Sequence, residues 1–296
     1  MIASSESPLR FLVEDNAWTA SLKSGEIRTQ ADGVTFETVP NISRHFKSLV
    51  RTSEYDGGEL SIVTYLQALA QGVDLLLLPF VVAGKFHHHN IVCRNDLAPL
   101  EPRALEGMRV GVRNYVQTTG VWLRGILRDD FGVDNTKITW VTNEDSHVLC
   151  FEDPENCERE PSGTPVKSLF LDGKLDALLG GDLLGDPRVT PVFPNPEAAA
   201  REWHARTDIV PINHIFVLRR SLAEARPELV SDIYQTLVAA REATTVEAPI
   251  GPNPTPFGIE PNRTALDRIC AYAFDQKIVP TRFQVEDLFC DIAHLF

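Results

Sequence analysis

Apolar positions along the chain fall into short runs whose spacing alternates between strand-like and helical. Leu9 to Val13 and Val34 to Val39 read as strands separated by polar residues and the turn-forming Asp32-Gly33 pair, so the chain opens on a strand pair or a βαβ unit. Asn41 can cap a helix running to about Leu49, and Glu59 to Gln71 carries Ile62, Val63, Leu66, Leu69 and Ala70 at helical spacing. Asp74 to Val82 is a nearly continuous apolar run with Pro79 inside it, which predicts a buried strand ending near the proline or a strand followed by a turn.

The middle of the chain repeats the alternation. His88 to Arg94 suits a strand, and Arg109 to Val112 is a short strand opening onto Asn114-Tyr115. Thr118-Thr119 then start a helix with Trp122, Leu123, Ile126, Leu127 and Phe131 on one face and Arg124, Arg128 and Asp129 on the other. Further strands are expected at Lys137 to Val141, Asp176 to Leu179 and Ile209 to Leu218, with a short helix at Val166 to Leu171. Helices at Pro227 to Glu242, Arg263 to Phe274 and Arg282 to His294 close the chain, and Ala248 to Gly258, with Pro249, Pro252, Pro254 and Pro256, is a stiff loop. The alternation predicts an α/β fold with mostly parallel strands.

Composition narrows the picture. At roughly 150 residues per domain, 296 residues make two lobes. A formal charge of −13, from 28 basic and 41 acidic residues, repels a phosphate backbone and removes nucleic acid as a partner. The five cysteines show no C-x-x-C spacing and read as reduced thiols. Met1 to Arg10 lacks the basic start and apolar run of a signal peptide, and no apolar run reaches 18 residues, so a cytoplasmic protein without a membrane partner is expected. Such a chain is compatible with a homo-oligomer.

Five segments in order carry a family resemblance: Tyr55-Asp56-Gly57-Gly58-Glu59-Leu60-Ser61; Arg109 to Val133; Gly173-Lys174-Leu175-Asp176-Ala177-Leu178; Pro211-Ile212-Asn213-His214; and Pro256 to Arg263. Together the chain resembles the 4,5-dihydroxyphthalate decarboxylase family. The resemblance implies a two-lobed α/β fold of the type II periplasmic-binding-protein kind. Residues 1–90 and 215–296 would form one lobe and 91–214 an inserted second, with the ligand cleft between them. Gly57, Gly58 and the His87-His88-His89 run depart from the family pattern at positions expected in the cleft.

Candidate chemistry follows. The helix start at Thr118 and Thr119 offers free N–H groups, hydroxyls and a partial positive charge to a carboxylate, with Arg113 and Arg124 as candidate clamps; Thr118 or Thr119 acting only as a helix cap is the plainer alternative. If His87 to His89 lie in a strand, His87 and His89 share one face and His88 the other, so the three do not bind one metal. A pair with a distant carboxylate leaves a divalent metal as an alternative, and no metal ligand set is assigned. The family alignment of Phe86 favours His88. The resemblance then implies a catalytic set of His88, His214 and Glu59, the last expected in the loop or first turn before a helix. It implies Arg113, Tyr115, Thr118, Thr119, Ser61, His87 and His89 as substrate contacts.

The partner implied is a small aromatic carboxylate, and the reaction is ring protonation followed by loss of CO2, for which no cofactor is obligatory. A binding protein of the same fold that releases the acid unchanged is the alternative.

Overall fold

The computed structural model describes residues 8–52, 54–97, 99–180, 183, 185–244 and 253–295. In chain order its strands are β1 (Leu9–Glu14), β2 (Val34–Val39), β3 (Gly57–Ser61), β4 (Leu76–Gly84), β5 (Ile91–Arg94), β6 (Arg109–Val112), β7 (Thr139–Thr142), β8 (Cys157–Arg159), β9 (Ala177–Leu179), β10 (Val189–Pro191) and β11 (Ile212–Leu218). They form two sheets, ordered β2-β1-β3-β11-β4 and β10-β5-β9-β6-β7-β8. The opening is a βαβ unit, because β1 and β2 are parallel and the short helix Ala20–Ser24 lies in their connection.

Both sheets are mixed rather than mostly parallel. β11 runs antiparallel to β3 and β4, and β5 runs antiparallel to β9 and β10. A strand that returns from a distant part of the chain carries no sign of its direction in its own sequence. The first sheet draws on 9–84 and 212–218, the second on 91–191. A boundary between 214 and 215 therefore cuts through β11, which pairs with its neighbours from Ile212 to Leu218.

Three further expectations change. Glu59 lies within β3, not in the first turn of the following helix, which starts only at Ile62 with Ser61 as its cap. β4 continues through Pro79 to Gly84, tolerated because β4 is the sheet's edge strand and the missing N–H breaks no ladder on its outer side. His88–Asn90 is a 3₁₀ turn rather than the start of a strand, so alternation does not govern the histidine run.

Gly57 and Gly58 are explained by the sheet. A Cβ on Gly57 would sit 2.3 Å from Val217 O, and one on Gly58, whose φ is +148°, would sit 2.2 Å from Leu12 O. They let β3 pass between β1 and β11, and are not cleft residues as expected.

The helix Thr118–Phe131 packs on Arg263–Asp275 through Trp122 and Tyr272, whose ring centroids are 5.7 Å apart. Arg124 is fully buried there instead of lying on a solvated face. Its guanidinium is 4.0 Å from the Tyr115 ring, and Nε donates to Gln276 Oε1 at 2.7 Å. Of the proline-rich loop, Pro249 and Pro252 lie outside the described residues. Phe257, farther on, stacks on Phe80 of β4 at 5.7 Å.

Candidate functional site

A cleft of about 530 Å³ is lined by residues of both sheets and their loops. One wall comes from the register of β3 and β11. His214 stands opposite Ser61 and Phe216 opposite Glu59, so all four side chains share one sheet face and the Glu59–His214 diagonal is a natural contact. His214 Nδ1 is 2.6 Å from Glu59 Oε1, while Glu59 Oε2 accepts the Glu14 N–H at 3.0 Å. Glu59 is 1% exposed and lies behind the wall. A carboxylate is an acceptor only, so neutral His214 carries its proton on Nδ1 and turns Nε2 to the cleft as an acceptor. The Phe46 ring packs edge-on against this imidazole at 5.3 Å.

The opposite wall is the start of the helix Thr118–Phe131. Gln117 precedes it without a side-chain cap, and Thr118, Thr119, Gln117 and Arg113 line the cleft. Thr118 Oγ1 is buried without a hydrogen-bond partner, as are Gln117 Oε1 and both amide atoms of the neighbouring Asn114. Unsatisfied buried polar groups are costly, and here they surround a helix N-terminus that favours anions. Arg113 Nε lies 3.4 Å from Glu144 Oε2, an ion pair whose geometry does not make a hydrogen bond. Lys85 and Lys167 also line the cleft, so among the described residues its cations outnumber Glu144, the one lining acid. In a chain of charge −13 this is a local reversal of sign.

The remaining candidates are placed elsewhere. His88 does not line the cleft. It is 2% exposed, with Phe193 and Trp203 rings at 5.2 and 6.1 Å, and burial pushes its pKa down to about 4. His87 sits one layer back, its Nδ1 3.3 Å from Asn90 Oδ1, and burial with nearby Lys85 lowers it to about 3. His89 is half-buried and outside the lining. Tyr115 is buried under the Arg124 guanidinium and accepts from it through its backbone carbonyl, so neither residue reaches the ligand space. The 3₁₀ turn accounts for this, because it turns the run toward the aromatic core instead of along a strand. Among the described residues no group of three His, Cys, Asp or Glu side chains is arranged to hold a metal, so the run does not form the donor set considered from the sequence.

The structure adds His147, which the sequence reading passed over. It lines the cleft, with Nδ1 2.9 Å from Thr64 Oγ1 and its ring 5.4 Å from Phe46. Burial, then repulsion from Arg113, Lys47, Arg51 and His214, lowers its pKa to about 4. His147 stands in an aperiodic polar stretch, and only tertiary packing brings it to the first sheet.

No protein-family model matches the chain. The chain is 28% identical over 280 residues to 4,5-dihydroxyphthalate decarboxylase of Comamonas testosteroni, covering 81% of this chain and 83% of the relative. It is also 28% identical over 197 residues to 4,5-dihydroxyphthalate decarboxylase of Pseudomonas putida, covering 62% and 76%. Among solved structures, the alkanesulfonate-binding protein SsuA of Xanthomonas axonopodis pv. citri, bound to MOPS, superposes with TM-score 0.62 at 17% identity over 97% of this chain and 99% of that one. The fold is thus the two-lobed periplasmic-binding-protein-like α/β fold, and the motif resemblance is matched by two relatives carrying that family's name.

Proposed function

We propose that the protein decarboxylates a dihydroxylated aromatic dicarboxylate, 4,5-dihydroxyphthalate being the first choice, to 3,4-dihydroxybenzoate and CO2. The observation that carries this reading is the buried Glu59 carboxylate held 2.6 Å from His214 Nδ1 behind a cleft otherwise built for anions. A receptor for an aromatic acid gains nothing from burying a negative charge behind its own ligand wall. A proton-transfer site does, because the carboxylate fixes the tautomer and supports the imidazolium that forms.

In this mechanism the retained carboxylate docks at the N–H groups of the Thr118 helix start, with Thr118, Thr119 and Arg113. The hydroxyl edge of the ring then faces His214. Nε2 takes the proton of the hydroxyl para to the departing carboxylate, which raises electron density at the carbon bearing that carboxylate. This carbon takes one proton from the medium, the C–C bond breaks toward the ring, CO2 leaves, and His214 returns its proton to the oxygen. The substrate dianion plus one proton gives the monocarboxylate plus CO2, and the ring itself holds the electron pair.

We also place the protein in the cytoplasm, where its five cysteines stay reduced; none is paired in the fold, and no helix of the described residues is long and apolar enough to cross a membrane.

The test is incubation with 4,5-dihydroxyphthalate in D2O while following CO2. Turnover with one deuterium on the product ring is expected, and His214→Gln should abolish turnover while still binding substrate. Tight binding without CO2 release by the unmodified protein would overturn the decarboxylase and leave a receptor, as the SsuA neighbours are.

A further inference from the structure

Two histidines, His214 and His147, line the cleft, and their Nδ1 atoms are held by chemically opposite partners. His214 faces an acceptor-only carboxylate. His147 faces Thr64 Oγ1 at 2.9 Å, which is 2.7 Å from Ser61 Oγ, and Ser61 Oγ already accepts the Thr64 N–H at 3.3 Å. If Ser61 donates to Thr64 and Thr64 donates to His147, each hydroxyl hydrogen in the relay has an acceptor. The reverse direction leaves the Ser61 hydrogen without one in the relay. The satisfied arrangement makes His147 Nδ1 an acceptor and puts its proton on Nε2. The two rings flank Phe46 at centroid distances of 5.4 and 5.3 Å, inclined at 78° and 89°, so one aromatic side chain sets both orientations.

We propose that His147 is a specificity-determining residue whose Nε2–H donates to the hydroxyl oxygen adjacent to the one that gives its proton to His214, so that the histidine pair reads an ortho-dihydroxylated ring edge. This rests on the reading of the cleft as a hydroxyaromatic-acid site. An acceptor and a donor side by side match the two oxygens of a catechol and mismatch a ring with a single hydroxyl, which leaves the His147 donor unpaired on binding.

His147 is also held in place. Arg51 donates to the carbonyls of Ser146 and His147 at 2.8 and 2.7 Å, and Ser146 Oγ donates to Gln67 Oε1 at 3.1 Å. The loop after β7, a strand of the second sheet, is therefore fastened to helices that pack on the first. Burial and the nearby cations lower the His147 pKa to about 4, which favours the neutral ring with its single N–H.

The test has two parts. In the protein labelled with ¹⁵N at histidine, the His147 ring is expected to give the neutral Nε2–H pattern from pH 8 to pH 6, without ligand. A neutral Nδ1–H ring, or an imidazolium at pH 6, would overturn the proposal. By calorimetry the unmodified protein should prefer 4,5-dihydroxyphthalate over 4-hydroxyphthalate by about tenfold, the worth of one buried hydrogen bond. His147→Leu should erase the preference, His147→Gln should restore most of it through its amide N–H, and Thr64→Val should reduce it without touching the ligand. An unchanged preference in His147→Leu, or no binding of either compound, would overturn the assignment. Neither readout requires turnover, so a retained preference without CO2 release would support the role of His147 while refuting the decarboxylase alone.

Discussion

Glu59→Gln isolates the buried carboxylate with little change in shape. Glu59 serves two donors, the Glu14 N–H at 3.0 Å and His214 Nδ1 at 2.6 Å. Glutamine has one oxygen for these two partners. If the oxygen stays on the Glu14 N–H, the NH2 group meets Nδ1, which must become an acceptor, and the proton moves to Nε2. If the amide flips, two buried N–H donors face each other at Glu14, at a cost of about 1–3 kcal/mol. The first arrangement wins, and His214 then presents a donor where the mechanism needs a base. A neutral hydrogen bond replacing a charge-assisted one costs only about 1 kcal/mol of stability. Loss of general base function costs about 10²- to 10⁴-fold in kcat, or about 3–5 kcal/mol of barrier. Substrate affinity should weaken by no more than about tenfold, since the anion contacts at Thr118 and Arg113 are untouched and one hydroxyl hydrogen bond is altered. CO2 release gives kcat, calorimetry gives Kd, and thermal unfolding checks the fold. A well-folded Glu59→Gln protein retaining kcat within threefold of the parent would refute the role of the pair.

Thr118→Val removes a buried hydroxyl that has no partner in the fold, so thermal stability should hold or rise while Kd for the aromatic dicarboxylate weakens about tenfold; unchanged affinity would remove Thr118 from the anion site. His87, His88 and His147 have pKa values lowered to about 3, 4 and 4, below the unfolded value near 6.5. Between pH 6.5 and about 4 the unfolded chain binds protons that the folded chain does not, so stability falls with falling pH by up to about 4 kcal/mol per unit for the three; a flat Tm from pH 7 to pH 5 would refute this. His88→Phe should keep kcat and lessen that acid sensitivity, and a folded but inactive variant would return His88 to the chemistry. Gly125→Ala brings a Cβ within 2.1 Å of the Tyr272 ring and should lower stability by about 1–3 kcal/mol or more, read from urea unfolding.

What the sequence made legible was whatever local pattern controls. Asn41 caps its turn by accepting from Ser43 N–H, and Pro227–Glu242 forms over the predicted span. The anion site was readable for the same reason, because β6, the polar turn and the helix start at Thr118 are consecutive in the chain. The Glu59–His214 pair was legible only as two separate candidates, since the residues are 155 positions apart and meet through antiparallel pairing. Local pattern failed where the core overrode it. His88 looked functional as part of a conspicuous run, yet it fills a space between Phe193 and Trp203. Arg124 has the spacing of an exposed residue and is fully buried. His147 gave no periodic signal, because its place depends on Arg51 and Thr64, which belong to another part of the fold.

The charge balance shows why this fold suits either binding or chemistry, and which features separate them. An anion receptor needs positive potential and N–H donors, and Arg113, Lys85, Lys167 and the uncapped helix supply them within a chain of charge −13. Those groups bind substrate and transition state alike, so on their own they lower Kd without accelerating anything. Acceleration needs a group whose interaction grows as the hydroxyl proton leaves. In the proposed mechanism the Glu59 carboxylate is such a group, because its attraction to His214 strengthens when the ring becomes an imidazolium beside a buried charge. The anion-binding wall is thus compatible with a receptor, and in the proposed mechanism one buried carboxylate adds the proton transfer. Replacing that carboxylate by an amide should convert the protein from an enzyme into a binding protein for the same acid, with the fold intact.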